Sequence, residues 1–177
     1  MSMLALPAPA WLRLSRLLAG VTYREWPGES EDHFHHRAFV DSTEYVDPYA
    51  EEVGFYLVGC GNFTAVYAHP DAPGVVFKLN AGTRDNMEEY HWWLMDQDHP
   101  NLPRVYHVEH YFGGCVAVSE ELDEGGDFFG HHDAYSEVCE LIEDAGFPVD
   151  DTHCGNIMRR GDTPVLNDPS SNRHESY

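Results

Sequence analysis

Trp11, Leu14, Leu17 and Leu18 fall three and four positions apart, which predicts a short amphipathic helix over Pro9 to Leu18 with Gly20 as its stop. Core packing is the first role such a helix suggests, and docking on a partner the second. From Tyr23 to Glu52 the chain is polar, acidic and rich in His and aromatics, without a clean period. Short β-type runs follow at Val53 to Val58, Thr64 to Ala68 and Gly74 to Leu79, divided by glycine and proline turns. Met87 to Met95 reads as a helix, ended by Pro100 and Pro103. Val105 to Tyr111 and Cys115 to Ser119 read as strands with Gly113-Gly114 between them. Tyr135 to Ala145 is helical with Val138, Leu141 and Ile142 on one face. Ile157-Met158 and Val165-Leu166 predict a hairpin around Arg160-Gly161-Asp162. There is no internal repeat. The predicted class is α+β, with an N-terminal helix and acidic segment over 1–52, an antiparallel-sheet small lobe over 53–122 and a much reduced helical large lobe over 123–177.

Composition narrows what such a chain does. At 177 residues it fits one domain, or a compressed two-lobed domain around one cleft. A chain of this size buries roughly 70% of its unfolded surface, enough for a core without staples. Hydrophobic content of 42% with 13% aromatics excludes wholesale disorder. The charge is lopsided: 31 acidic residues against 10 basic ones, a formal net of −21. Binding nucleic acid or an anionic membrane needs clustered Lys and Arg, so neither is expected as a direct partner. A protein with a basic surface fits better, although solubility alone accounts for the acidity equally well.

Cys60, Cys115, Cys139 and Cys154 are scattered with no C-x-x-C pair, which argues for reduced thiols rather than zinc or disulfides. His33, His35 and His36 have only Glu31 and Asp32 close by and no second ligand pair, so a metal site there is not expected. Arg13 and Arg16 interrupt the apolar N-terminal stretch, which reads as neither a signal peptide nor a membrane span. A soluble, intracellular chain is expected.

The chemistry-bearing positions come in a fixed order. Gly59-Cys60-Gly61-Asn62-Phe63-Thr64-Ala65-Val66 is a glycine-rich turn after a strand, where backbone N–H groups can approach phosphate oxygens. A third glycine is replaced by Thr64. Lys78 ends the run Val75-Val76-Phe77-Lys78, and a lysine on that third strand suits the α and β phosphates of a nucleotide. The alternative is an edge-strand lysine facing solvent. Its ion-pair partner on the next helix is Glu88 or Glu89, which helical phase does not separate. Ser119-Glu120-Glu121-Leu122 reads as a hinge for adenine, with Glu121 among the nucleotide contacts, Val116 and Val118 lining the pocket, and the acidic side chains facing solvent. Asp151, with Asn156 five positions on and Asp168 after an apolar run, follows the kinase catalytic-loop and metal-ligand pattern. Asp151 would orient the attacking hydroxyl and accept its proton. Asn156 and Asp168 would hold Mg²⁺ against the phosphates of ATP, and His153 could contact the γ-phosphate.

The whole resembles a known family. Leu57-Val58-Gly59-Cys60-Gly61-Asn62-Phe63-Thr64-Ala65-Val66-Tyr67-Ala68-His69-Pro70 is similar to the glycine-loop segment of the early protein kinase of autographiviruses, phages that encode a single-subunit RNA polymerase. So are Val76-Phe77-Lys78, Pro103 to Val108, Asp151 to Met158 and Gly161 to Pro169, collinear over about Val53 to Ser170. The resemblance implies a protein-kinase-like two-lobed fold and a serine/threonine kinase made early in infection. It further implies ATP and Mg²⁺ as cofactors, host proteins as targets, and action in the host cytoplasm.

Departures from that pattern shape the expectation. Val149 and Asp150 stand where His-Arg would precede Asp151, and no A-P-E follows Asp168. Control by activation-loop phosphorylation is not expected. Nine residues follow Asp168, so the C-terminal extension tied to host shutoff in that family is not expected either. The alternative function is a catalytically weak or inactive kinase-fold protein that blocks a basic or nucleic-acid-binding host protein. A small-molecule kinase ranks last, because little chain is left to form a substrate pocket. Self-association could complete the reduced large lobe.

Overall fold

The computed structural model describes residues 10–22, 48–60, 64–81, 87–111, 114–150, 152 and 155–169. The described residues of Met1–Arg84 and Tyr106–Ser119 form one compact unit, and those of Asp85–Val105 and Glu120–Tyr177 form another. The class is α+β, as expected.

The first unit is a helix on a sheet. Helix α1 (Ala10–Thr22) precedes strands β1 (Tyr56–Cys60), β2 (Thr64–Ala68), β3 (Val75–Ala81), β4 (Val105–Tyr111) and β5 (Gly114–Glu120), of which the end residues Val105 and Glu120 belong to the second unit. Their order across the sheet is β1-β2-β3-β5-β4, and β1–β2 and β2–β3 are antiparallel. Register sorts the side chains onto two faces. The pairs Ala65↔Leu79 and Tyr67↔Phe77 put four buried residues on one face, where they share a cluster with Leu14 and Leu18 of α1 and with Phe55. The pairs Thr64↔Asn80 and Val66↔Lys78 fall on the other face.

Two boundaries differ from the sequence expectation. Helix α1 runs through Gly20 to Thr22, so Gly20 is not a stop. Ala19 and Val21 on either side of it are buried, and that burial outweighs the glycine penalty of about 1 kcal/mol. Leu17 lies off the apolar stripe, 42% exposed. Strand β1 starts at Tyr56 rather than Val53, because Val53-Gly54 form a turn that ends a short helix at 48–52. Phe55 N–H then donates back to the Ala50 carbonyl at 2.9 Å. Gly54 has φ 94, and a Cβ there would lie 2.8 Å from the His69 Nε2, so glycine is required on both counts.

The second unit holds helix α2 (Met87–Met95), helix α3 (His132–Asp144) and the antiparallel hairpin β6 (Ile157–Arg160) and β7 (Thr163–Leu166). The sequence reading placed α2 in the small lobe; its residues lie in this unit. Helix α2 buries Tyr90, His91 and Leu94, and the rings of Tyr90, Trp93 and Phe147 pack at 5.2–5.7 Å. Helix α3 starts three residues before the expected Tyr135 and buries Val138 and Ile142 completely. The predicted hairpin is present, with Val165 and Leu166 fully buried and the turn at 161–162. Among the described residues, no helix is long and apolar enough to cross a membrane.

Candidate active site

In the first unit, Lys78 sits on β3, the middle of the five strands, and is only 6% exposed. A solvent-facing edge lysine is thereby excluded. Two residues on, along the same face, Asn80 is 2% exposed and ties β3 to three other strands. The Thr64 hydroxyl donates to Asn80 Oδ1, the Asn80 amide donates to Cys115 Sγ at 3.6 Å, and the Tyr111 hydroxyl donates to the Asn80 carbonyl at 2.7 Å. Thr64, standing in place of a third glycine, thus anchors the strand that leaves the glycine turn. On the entering side, β1 is bulged between Leu57 and Gly59. A bulge bends the strand and re-aims its side chains, here just before the turn; Val58 is 51% exposed. Gly59 is half-buried, and Gly61 lies outside the described residues.

In the second unit the hairpin does the positioning. Ile157 pairs with Leu166, so Asn156 and Asn167-Asp168 emerge from the same end of the two strands. Asn167 N–H donates to the Asn156 carbonyl at 2.9 Å, which fixes this end closed. The backbones of Asn156 and Asp168, the expected metal pair, therefore lie at one end of the hairpin. The residues on either side of Asp151 are both tied: Asp150 N–H donates to the Pro169 carbonyl at 3.0 Å, and the Tyr135 hydroxyl of α3 donates to Thr152 Oγ1 at 3.0 Å. Asp151 and His153 themselves lie outside the described residues, as does the His33–His36 group.

Tyr90 of α2 adds an element that sequence reasoning missed. Burial, and secondarily the Asp168 carboxylate, push its phenol well above the ordinary tyrosine range. It stays a neutral hydroxyl within the electrostatic reach of Asp168. Its oxygen is buried and has no hydrogen-bond partner among the described residues. Glu89 is exposed, while Glu88 is half-buried and accepts from Trp92 Nε1 at 3.4 Å. Both glutamates belong to the second unit and Lys78 to the first.

The hinge expectation needs one correction. Glu121 is exposed, as expected, but Glu120 does not face solvent. It is 8% exposed, and both its oxygens accept from Arg160 at the end of β6, Oε2 from Nε at 2.8 Å. Its Oε1 also accepts from Arg104 N–H at 2.7 Å. An acid beside the chain's scarce guanidinium groups is drawn inward by pairing, which hydropathy does not register. The available signal was an arginine in a hairpin turn of a strongly acidic chain.

An amide oxygen and a carboxylate oxygen are hard donors, the kind that suits Mg²⁺ better than a soft metal. Asn156 and Asp168 thus fit the ion the sequence implied.

No protein-family model matches the sequence, and no curated protein matches it. Similar solved structures are protein kinases. The crystal structure of Rad53 1-466 in complex with AMP-PNP shares 15% identity over 72% of this chain and 42% of that one, with a TM-score of 0.49. PpkA-294 in its apo form shares 15% over 64% and 56%, with a TM-score of 0.48. The Mycobacterium tuberculosis PknI kinase domain shares 17% over 64% and 58%, with a TM-score of 0.45. This chain spans between two-fifths and three-fifths of the length of those proteins.

Proposed function

We propose that the chain is an ATP- and Mg²⁺-dependent protein serine/threonine kinase. The observation that supports this reading best is the hairpin, whose one end carries Asn156 opposite Asn167 with Asp168 next in line, and to which Asp150 is tied through the Pro169 carbonyl. Lys78, buried on the central strand, supports it as the cation for the nucleotide phosphates. Asp151 would accept the proton of the attacking hydroxyl, and Gly59 and Gly61 would offer backbone donors to phosphate oxygens. Asn156 and Asp168 would hold Mg²⁺, which when bound offsets phosphate charge in a chain of net −21. The finer reading belongs to the same proposal: a phage-encoded enzyme that modifies host proteins with basic surfaces early in infection, in the host cytoplasm. Its support is the sequence resemblance.

The test is incubation of the purified chain with labelled ATP and Mg²⁺, alone and with bacterial extract. Wild type labels itself or a protein in the extract, and Asp151→Ala and Lys78→Met do not. Equal labelling by Asp151→Ala, or none by wild type with any divalent metal, overturns the reading. The net charge favours a second reading, a non-catalytic protein that occupies a basic host surface. Capture of a basic partner by an Asp151→Ala/Asp168→Ala chain, lost as salt is raised, would support that instead.

A further inference from the structure

The hairpin that carries the metal pair is too short to hold its own geometry. Each strand has four residues, and a lone two-stranded hairpin is marginal in water. Its register matters, because a slip of one residue would change what stands opposite Asn156, now Asn167, and turn buried Val165 outward. Three devices tie the hairpin to the rest of its unit. Along β7, Asn101 donates its amide to the Pro164 carbonyl at 2.7 Å, and its own carbonyl accepts from Leu166 N–H at 2.9 Å. Along β6, Asp123 and Arg159 exchange backbone hydrogen bonds at 2.9 and 3.0 Å. Gly126 lies so close to the Met158 carbonyl that no Cβ fits there. The third device, at the turn, is a side chain.

That side chain is Arg160. Its guanidinium donates to both oxygens of Glu120, to the Pro100 carbonyl at 2.9 Å and to the Leu102 carbonyl at 2.9 Å. One planar fork thus joins β6, the last residue of β5 and the segment after α2. A fork that meets a carboxylate with two parallel bonds fixes direction as well as distance, which an ammonium does not. Mg²⁺ accepts little deviation from octahedral oxygens at about 2.1 Å. Looseness at the turn is therefore felt at the open end, three residue pairs away.

We propose that Arg160, held by Glu120 and by the carbonyls of Pro100 and Leu102, is a positioning residue for the metal pair. It keeps Asn156 and Asp168 at the spacing that Mg²⁺ requires. The inference rests on reading those two residues as metal ligands, and it is tested without reference to phosphate transfer. The probe is Mn²⁺, titrated by electron paramagnetic resonance into the full chain with ADP held constant. Hydrogen exchange at the Leu166 and Asn167 amides is followed alongside. Arg160→Met weakens Mn²⁺ binding by about 10–100-fold and speeds exchange at both amides, while the β2–β3 amides are unchanged. Arg160→Lys, which keeps the charge and loses the fork, falls between.

Mn²⁺ binding by Arg160→Met within twofold of wild type overturns the proposal. If that variant does not fold, Glu120→Gln decides: a fivefold or greater loss supports the proposal and a loss within twofold overturns it. Wild-type Mn²⁺ binding without phosphate transfer sinks the kinase reading and leaves this one standing. Undiminished Mn²⁺ binding by Asp168→Asn removes the premise, and the inference falls with it.

Discussion

Asn80 shows how much one buried polar side chain can decide. Its amide links Thr64, at the exit of the glycine turn, with Cys115 on the neighbouring strand, two residues from Lys78 on one sheet face. Replacing it with alanine leaves the Thr64 hydroxyl without that acceptor in a half-buried place. We expect Asn80→Ala to lower stability by about 1–3 kcal/mol, read as a lower urea midpoint with an unchanged m-value. Tyr90 is the opposite case. Its hydroxyl is buried with no hydrogen-bond partner among the described residues, so there it contributes desolvation cost and no bond. Tyr90→Phe should leave the thermal midpoint unchanged or raise it; a fall of several degrees would show that the hydroxyl has a partner in solution. Neither effect is legible in sequence, where Asn80 ends an apolar strand and Tyr90 belongs to an aromatic helix.

At the scale of elements, α1 and the hairpin carry different duties. The sequence left two roles open for α1, core packing or partner docking. Leu14 and Leu18 lie in the main buried cluster with Phe55, Tyr67 and Phe77, and Trp11 packs on Tyr106 and His107 at 6.3 and 5.7 Å. The helix is therefore part of the fold. Leu18, fully buried, should cost about 2–5 kcal/mol when cut to alanine, measured by denaturant unfolding; a cost below 0.5 kcal/mol would point to a docking helix instead. The hairpin was legible because its apolar pairs flank Gly161-Asp162. Its anchoring was not legible. Asn101, Glu120 and Arg160 lie far apart in sequence, and no local period joins them.

For the whole molecule the dominant quantity is charge. With 31 acidic residues against 10 basic ones, self-repulsion works against compactness and is screened by salt. We expect the thermal midpoint to rise between about 10 mM and 200 mM NaCl, as the screening length falls from roughly 30 Å to under 10 Å. A fall would mean that attractive pairs such as Arg160–Glu120 outweigh the net repulsion.

By itself, the sequence determined the order of elements and the identity of the chemical positions. Periodicity is a local property, and side chains such as Lys78, Asn156 and Asp168 keep their chemistry wherever they stand. Tertiary structure decided which of those positions meet and what holds them. The hairpin register brought Asn156 and Asp168 to one end of the two strands, the central place of β3 buried Lys78, and pairing with Arg160 drew Glu120 inward. Those outcomes depend on contacts between residues tens of positions apart. Their energies come from burial and hydrogen-bond geometry, which no stretch of sequence contains on its own.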